Sequence, residues 1–215
     1  MAIFGTETRS RSDLVRSAFI LESLTLLWVL LEAVVAIWSG WEAHSISLLA
    51  FGADSVIEAL SACVLLWRLT VELRHGQSFS ENAERRARKI AGGLLFALAA
   101  YVVLSASWSL WNHRGQEFSL LGLTIAAATI PVMFLLAKRK IAIAEKIESR
   151  ALRADAMESV TCGWLSFVVV AGLLAQLVLG AWWVDAVTSL GIVYFVVKEG
   201  REAWADEQCE CSNGH

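Results

Sequence analysis

Residues 45–67 read SISLLAFGADSVIEALSACVLLW, an apolar run in which Asp54 and Glu58 are the only acidic or basic side chains. About 20 such residues cross the hydrocarbon core of a bilayer as an α-helix. The run has no proline and no strict apolar–polar alternation. Backbone groups in hydrocarbon need internal partners, so the run is read as a helix. A carboxylate at the centre of a spanning helix costs about 2.5–3.5 kcal/mol on insertion scales, and such residues usually mark an ion or proton pathway. Residues four apart share one helical face, about 6 Å apart along the axis, so Asp54 and Glu58 present two carboxylates to one neighbour. The run 156–179 repeats the device with Glu158 and Cys162.

Working outward, the 215-residue chain is 57% hydrophobic and 18% charged, has one proline, and has a mean hydropathy of +0.57. These values exclude an ordinary soluble domain. Spans are read at 17–41, 45–67, 90–111, 118–137, 156–179 and, least apolar, 181–197. The expected fold class is all-α integral membrane, a six-transmembrane-helix bundle. Of the 18 Lys and Arg residues, Arg114 alone falls on one side of this map and the other seventeen on the opposite side. The positive-inside bias then places both termini in the cytoplasm. Trp38, Trp41, Trp108, Trp111, Trp182 and Trp183 gather at the outer ends and Trp67 at an inner end, as interfacial belts do. The first apolar run follows a polar arm and is long, so no cleavable signal peptide is expected. Three segments result: a cytoplasmic arm at 1–16, a transmembrane domain at 17–205, and a short tail at 206–215. The expected location is the plasma (inner) membrane, crossed several times. No nucleic-acid partner is expected. An enzyme is not expected either, because no nucleophile and base stand at a persuasive spacing.

Four ligands from two facing helices suit a divalent transition metal, and Zn²⁺ takes N, O and S donors tetrahedrally. At these residues the chain resembles the cation diffusion facilitators, a family of divalent-metal exporters. Ser47-Leu48-Leu49-Ala50 running into Asp54-Ser55-Val56-Ile57-Glu58 resembles that family's second-helix motif. Leu152-Arg153-Ala154-Asp155-Ala156-Met157-Glu158-Ser159-Val160-Thr161-Cys162 resembles the fifth-helix motif, and Val184-Asp185-Ala186-Val187-Thr188-Ser189-Leu190-Gly191-Ile192 the sixth helix. The likeness covers nearly all of residues 15–205. It implies a metal site of Asp54, Glu58, Glu158 and Cys162, export of the ion in exchange for protons, and a homodimer, for which the uncharged third span is a reasonable packing surface. Many relatives carry histidine at one or more of these positions, whereas this chain has none within its spans. Zn²⁺ leads, with Cd²⁺, Mn²⁺ and Fe²⁺ as alternatives, since oxygen-rich donors suit the harder ions. The metal is cargo, and no cofactor is expected. The family commonly adds a cytoplasmic metal-sensing domain after the sixth helix; with eleven residues beyond Trp204, this chain is expected to lack it.

Asp155 and Glu32 are expected to support the ligands or line their access route. For Glu32 the favoured reading is a polar group paired with a neighbouring helix. Glu22 reads the same way, or as a headgroup-level residue, and helical spacing puts it on a different face from Glu32. Asp185, beside Trp182 and Trp183, reads as a structural or capping residue. Cys162 has a competing reading as a small core residue, and His75 as a solvated loop residue. Cys209, Cys211 and His215 in the tail offer soft ligands at the cytoplasmic mouth, or no role at all. Two further functions compete with export: a nontransporting metal-binding accessory subunit, and a small proton-coupled drug antiporter.

Overall fold

The computed structural model of the protein describes residues 4–75, 81–112 and 117–205. Among them six α-helices follow one another: α1 (Phe4–Glu42), α2 (Ile46–His75), α3 (Glu81–Trp111), α4 (Leu120–Ile147), α5 (Arg150–Leu179) and α6 (Val184–Ala205). Five, α1 to α5, are long and apolar enough to cross a membrane. The sixth opens with Val184-Asp185 and closes with the charged run Lys198-Glu199-Gly200-Arg201-Glu202, which lowers its apolar content. Arg114 and the tail residues Cys209, Cys211 and His215 lie outside the described residues, and so does the side chain of His75.

The helix ends follow from local chemistry. Ser45 Oγ accepts the Leu48 amide at 3.2 Å ahead of α2, Ser119 Oγ accepts the Gly122 amide ahead of α4, and Ser149 Oγ accepts the Leu152 amide ahead of α5. Each satisfies one of the orphan amides of a first turn. Gly180 closes α5 at φ 59°, the left-handed conformation glycine adopts without steric cost. The α4–α5 link is only Glu148 and Ser149, so these two helices form a tight hairpin.

Packing divides the bundle. α1, α2, α4 and α5 contact one another as a four-helix unit, while α3 pairs with α6 and this pair leans on α2 and α5. Glycines bring α1 and α2 close: a Cβ on Gly52 would stand 3.0 Å from the Ile37 backbone nitrogen, and one on Gly40 would stand 2.8 Å from that of Leu49. Such small residues let helices pack backbone to backbone in lipid, where the hydrophobic effect does not drive association. The side-chain distribution agrees. Leu27, Val34, Leu104 and Val178 point outward, whereas Thr25, Ser55, Thr129, Ser159, Ser166 and Ser189 are buried. The outer-belt tryptophans are exposed, as expected of interfacial residues.

Three links meet at one end of the bundle. The Glu117 amide donates to the Ala43 carbonyl at 2.9 Å, tying the α3–α4 link to the α1–α2 link. Asp185, at the head of α6, accepts from the Ile46 amide at 2.7 Å, the Ser47 amide at 3.2 Å, Ser45 Oγ at 2.8 Å and Ser47 Oγ. It is therefore a cap delivered to α2 from another helix, buried to 5% exposure. Removing it strands buried donors, at about 1–3 kcal/mol for each left unsatisfied. Asp185→Ala is expected to lower the thermal midpoint of the purified protein. A midpoint unchanged from that of the parent would show that the cap carries no weight.

Candidate functional site

The starts of α1, α3 and α5 and the ends of α2, α4 and α6 lie at the opposite end of the bundle. There a second apolar cluster, built on Val15, Ala18, Leu65, Leu69, Ala144 and Leu152, seals α1, α2, α4 and α5 together. The gap between that unit and the α3–α6 pair is not sealed. It holds a cavity of about 390 Å³ whose wall includes Asp54, Glu58, Asp155, Glu158 and Glu199, with Arg68 among the lining residues. Apolar residues of α2 and α3, among them Ile57, Leu60, Ile90 and Leu94, complete it. Five carboxylates thus share one largely apolar chamber.

The four residues of the expected ligand set are not treated alike. Asp54, Glu58 and Glu158 line the cavity. Asp54 and Glu58 are 5% and 7% exposed, and Glu158 is half-buried. Cys162 is buried and outside the cavity wall; its thiol donates to Glu32 Oε1 at 3.5 Å, although Glu58 and Asp54 remain within electrostatic reach. Glu58 Oε1 accepts from Ser159 Oγ at 3.4 Å, the neighbour of Glu158, so α2 and α5 meet at this level even though hydropathy puts their acids at different depths. Glu58 Oε2 is buried with no hydrogen-bond partner among the described residues. Buried acceptors are nearly always satisfied, so an orphan carboxylate oxygen in a cavity wall marks a place prepared for a donor or a cation. The acids stand at separate points of the wall: among the described residues no three His, Cys, Asp or Glu side chains converge closely enough, as placed, to hold an ion.

Behind the cavity lie two polar clusters. Glu32, fully buried in α1, accepts from Ser55 Oγ of α2 and Thr129 Oγ1 of α4, both at 2.6 Å, as well as from Cys162. Trp28 Nε1 donates in turn to Thr129 Oγ1 at 3.2 Å. Glu32 is thus paired with three neighbouring helices and does not line the cavity. The second cluster centres on Lys140, which is fully buried in α4. Its ammonium stands 2.8 Å from Glu22 Oε2 of α1 and 2.5 Å from Asp155 Oδ2 of α5, and 3.5 Å from Ser159 Oγ. Glu22 is consequently interior and paired, not at the headgroups, and it shares no cluster with Glu32. Asp155 both lines the cavity and binds Lys140, so it belongs to the cavity and to the structure behind it.

Sequence reasoning missed two of these residues. Lys140 counts among the inner-loop cations if the fourth span stops at 137, yet α4 continues to Ile147 and Lys140 shares a face with the buried Thr129, Met133, Ala137 and Ala144. Glu199 lies beyond a sixth span stopped at 197. It falls three and four residues apart in turn from Val196, Ile192, Ser189 and Asp185, all buried, so helical periodicity alone places it on the inner face.

Residues 23–206 match the family described as Cation efflux transmembrane domain. The chain is also 27% identical over 160 residues to an uncharacterized transporter of Synechocystis sp., covering 73% of this chain and 52% of that protein. The chain therefore spans about half the length of the curated relative it matches.

Proposed function

Since the chain belongs to the cation-efflux family, the cation diffusion facilitators, we propose that it is a secondary active transporter moving a divalent transition-metal ion out of the cytoplasm in exchange for protons. The observation that carries this reading is the cavity that Asp54 and Glu58 of α2 line together with Glu158 of α5, and in which Glu58 Oε2 is buried without a hydrogen-bond partner among the described residues. Asp54, Glu58 and Glu158 crowd like charge into an apolar chamber whose described lining includes one cation, Arg68, so a bound cation or protons lower the cost of keeping them together. A carboxylate must be deprotonated to bind metal, so metal binding displaces protons and the two cargoes compete for the same oxygens. Alternating access then exposes that competition to each side in turn. The cavity lies towards the end that carries the starts of α3 and α5 and the ends of α2 and α6, and the distribution of Lys and Arg supports reading this as the cytoplasmic end. Zn²⁺ is the leading cargo, ahead of Cd²⁺, Mn²⁺ and Fe²⁺. Two copies pair through the uncharged part of α3, where Tyr101, Leu104 and Trp108 are exposed.

The test is flux into proteoliposomes holding the purified chain, with an acidic lumen and a panel of divalent ions outside. Zn²⁺ is expected to accumulate and to stop accumulating when an ionophore collapses the proton gradient. Absence of flux for every divalent ion would remove the transport reading, and binding without flux would make the chain a metal-binding accessory protein. Flux indifferent to the gradient would remove antiport alone.

A further inference from the structure

Glu199 has no counterpart in the ligand set implied by the second and fifth helices, yet it stands in the same cavity wall. It is within electrostatic reach of Asp54, Glu158 and Glu58 together. Its position follows from packing. The end of α6 approaches α3 at Gly200, where a Cβ would stand 3.4 Å from the Gly92 carbonyl oxygen and 3.3 Å from the Phe96 ring. Val196 and Ile192 are buried one and two turns earlier on the same face. The flanking charges turn the other way: Lys198 and Glu202 form an exposed pair at 3.8 Å. Glu199 makes no ion pair among the described residues. A half-buried glutamate beside three other acids, with no ion pair among the described residues, needs a proton or a cation in the cavity to neutralise it.

We propose that Glu199 is the fourth cargo-binding carboxylate, so that the divalent ion is held by oxygens of Asp54, Glu58, Glu158 and Glu199 from three helices while Cys162 remains with Glu32. This assignment rests on the transport reading and deepens it. The independent sign of a ligand is Glu58 Oε2, an orphan acceptor on a side chain 7% exposed that lines the same cavity. The thiol that would otherwise complete the set donates to Glu32 Oε1 at 3.5 Å and is not in the cavity wall, although it also lies beside Glu58. The consequence concerns selectivity. A soft thiolate selects for Cd²⁺ and Zn²⁺, whereas an all-oxygen set favours harder ions such as Mn²⁺ and still accepts Zn²⁺.

The experiment titrates the purified 215-residue chain with Zn²⁺, Cd²⁺ and Mn²⁺, reading metal-induced thermal stabilisation, and repeats the flux panel. It compares Glu199→Gln, Glu199→Asp, Cys162→Ser and, as a control on the exposed face of α6, Glu202→Gln. Glu199→Gln is expected to weaken binding of all three ions by about tenfold or more, with the metal-free midpoint unchanged. Glu199→Asp keeps the charge on a shorter arm and is expected to fall between Gln and the parent. Cys162→Ser and Glu202→Gln are expected to leave the order of the three ions as it is. Parent-like titrations of Glu199→Gln would overturn the assignment. So would a changed Cd²⁺ to Mn²⁺ preference in Cys162→Ser, which would make the thiol the fourth ligand. Should Glu199→Gln fail to fold, a parent-like titration of Glu199→Asp would overturn it equally. Failure of the underlying reading looks different: the parent itself would then move none of the three ions, whatever Glu199 contributes.

Discussion

Glu58→Gln is expected to abolish divalent-metal flux while leaving the fold intact. The amide has the shape of the carboxylate and can still accept from Ser159 Oγ, which donates to Oε1 at 3.4 Å, while Oε2 has no hydrogen-bond partner among the described residues to lose. Nothing that holds α2 against α5 is removed. What disappears is one full negative charge facing the cargo. A pair of unit charges 4 Å apart interacts by about 4 kcal/mol at an effective dielectric of about 20, and every 1.4 kcal/mol is tenfold in affinity, so roughly a thousandfold of binding is at stake. Two measurements separate the loss from misfolding. The metal-free thermal midpoint should match the parent's, and the rise of the midpoint with Zn²⁺, which follows the ratio of ligand concentration to Kd, should vanish. Retained flux would take Glu58 out of the pathway and leave its buried oxygen without a purpose.

Lys140→Met is expected to damage the fold more than any other single change considered. Its ammonium is fully buried and faces two carboxylates, Glu22 at 0% and Asp155 at 5% exposure. Breaking a buried ion pair from one side leaves an uncompensated charge and costs about 3–5 kcal/mol. Here both acids lose their cation, so the upper part of that range is expected. They differ in what they can do next. Asp155 lines the cavity and can turn towards it, whereas Glu22 has no such wall to face. The double variant Lys140→Met with Glu22→Gln is therefore expected to recover much of the loss, because it removes the acid that has nowhere to go. Thermal or denaturant midpoints of the single and double variants decide the matter. A single variant as stable as the parent would mean that the cluster is not holding α1, α4 and α5 together.

Hydropathy, the four-residue spacing of the acids and the asymmetry of Lys and Arg made the membrane bundle legible in the sequence, because lipid constrains backbone and charge so strictly that few structures remain. The apolar spans are bounded at 137, 156 and 197 and leave Lys140 and Glu199 outside them, although the run 138–153, with good helix formers and no Gly or Pro, reads as a helical extension into the cytoplasm and Asp155 as a support or access residue. In a bundle that pairs its charges internally, the helix runs on past them: α4 reaches Ile147 and α5 begins at Arg150. Inner-face periodicity was the better guide there. Motif spacing, for its part, grouped Cys162 with Glu158 because they are one turn apart. It had no access to Glu32 on α1, whose oxygen engages the thiol across the bundle. Contacts between helices distant in sequence are what spacing along one helix cannot supply.

The hold of Asp185 on the head of α2 bears on how the bundle could evert. At that rim the links are laced together, while the opposite rim is parted by the cavity, so the molecule resembles a peg fastened at one edge. For an ion to leave across the fastened edge, the heads of α2 and α6 have to separate, and the donors gathered on one carboxylate must find water in the same motion. On the transport proposal, releasing one acidic residue far from the cargo becomes part of every turnover.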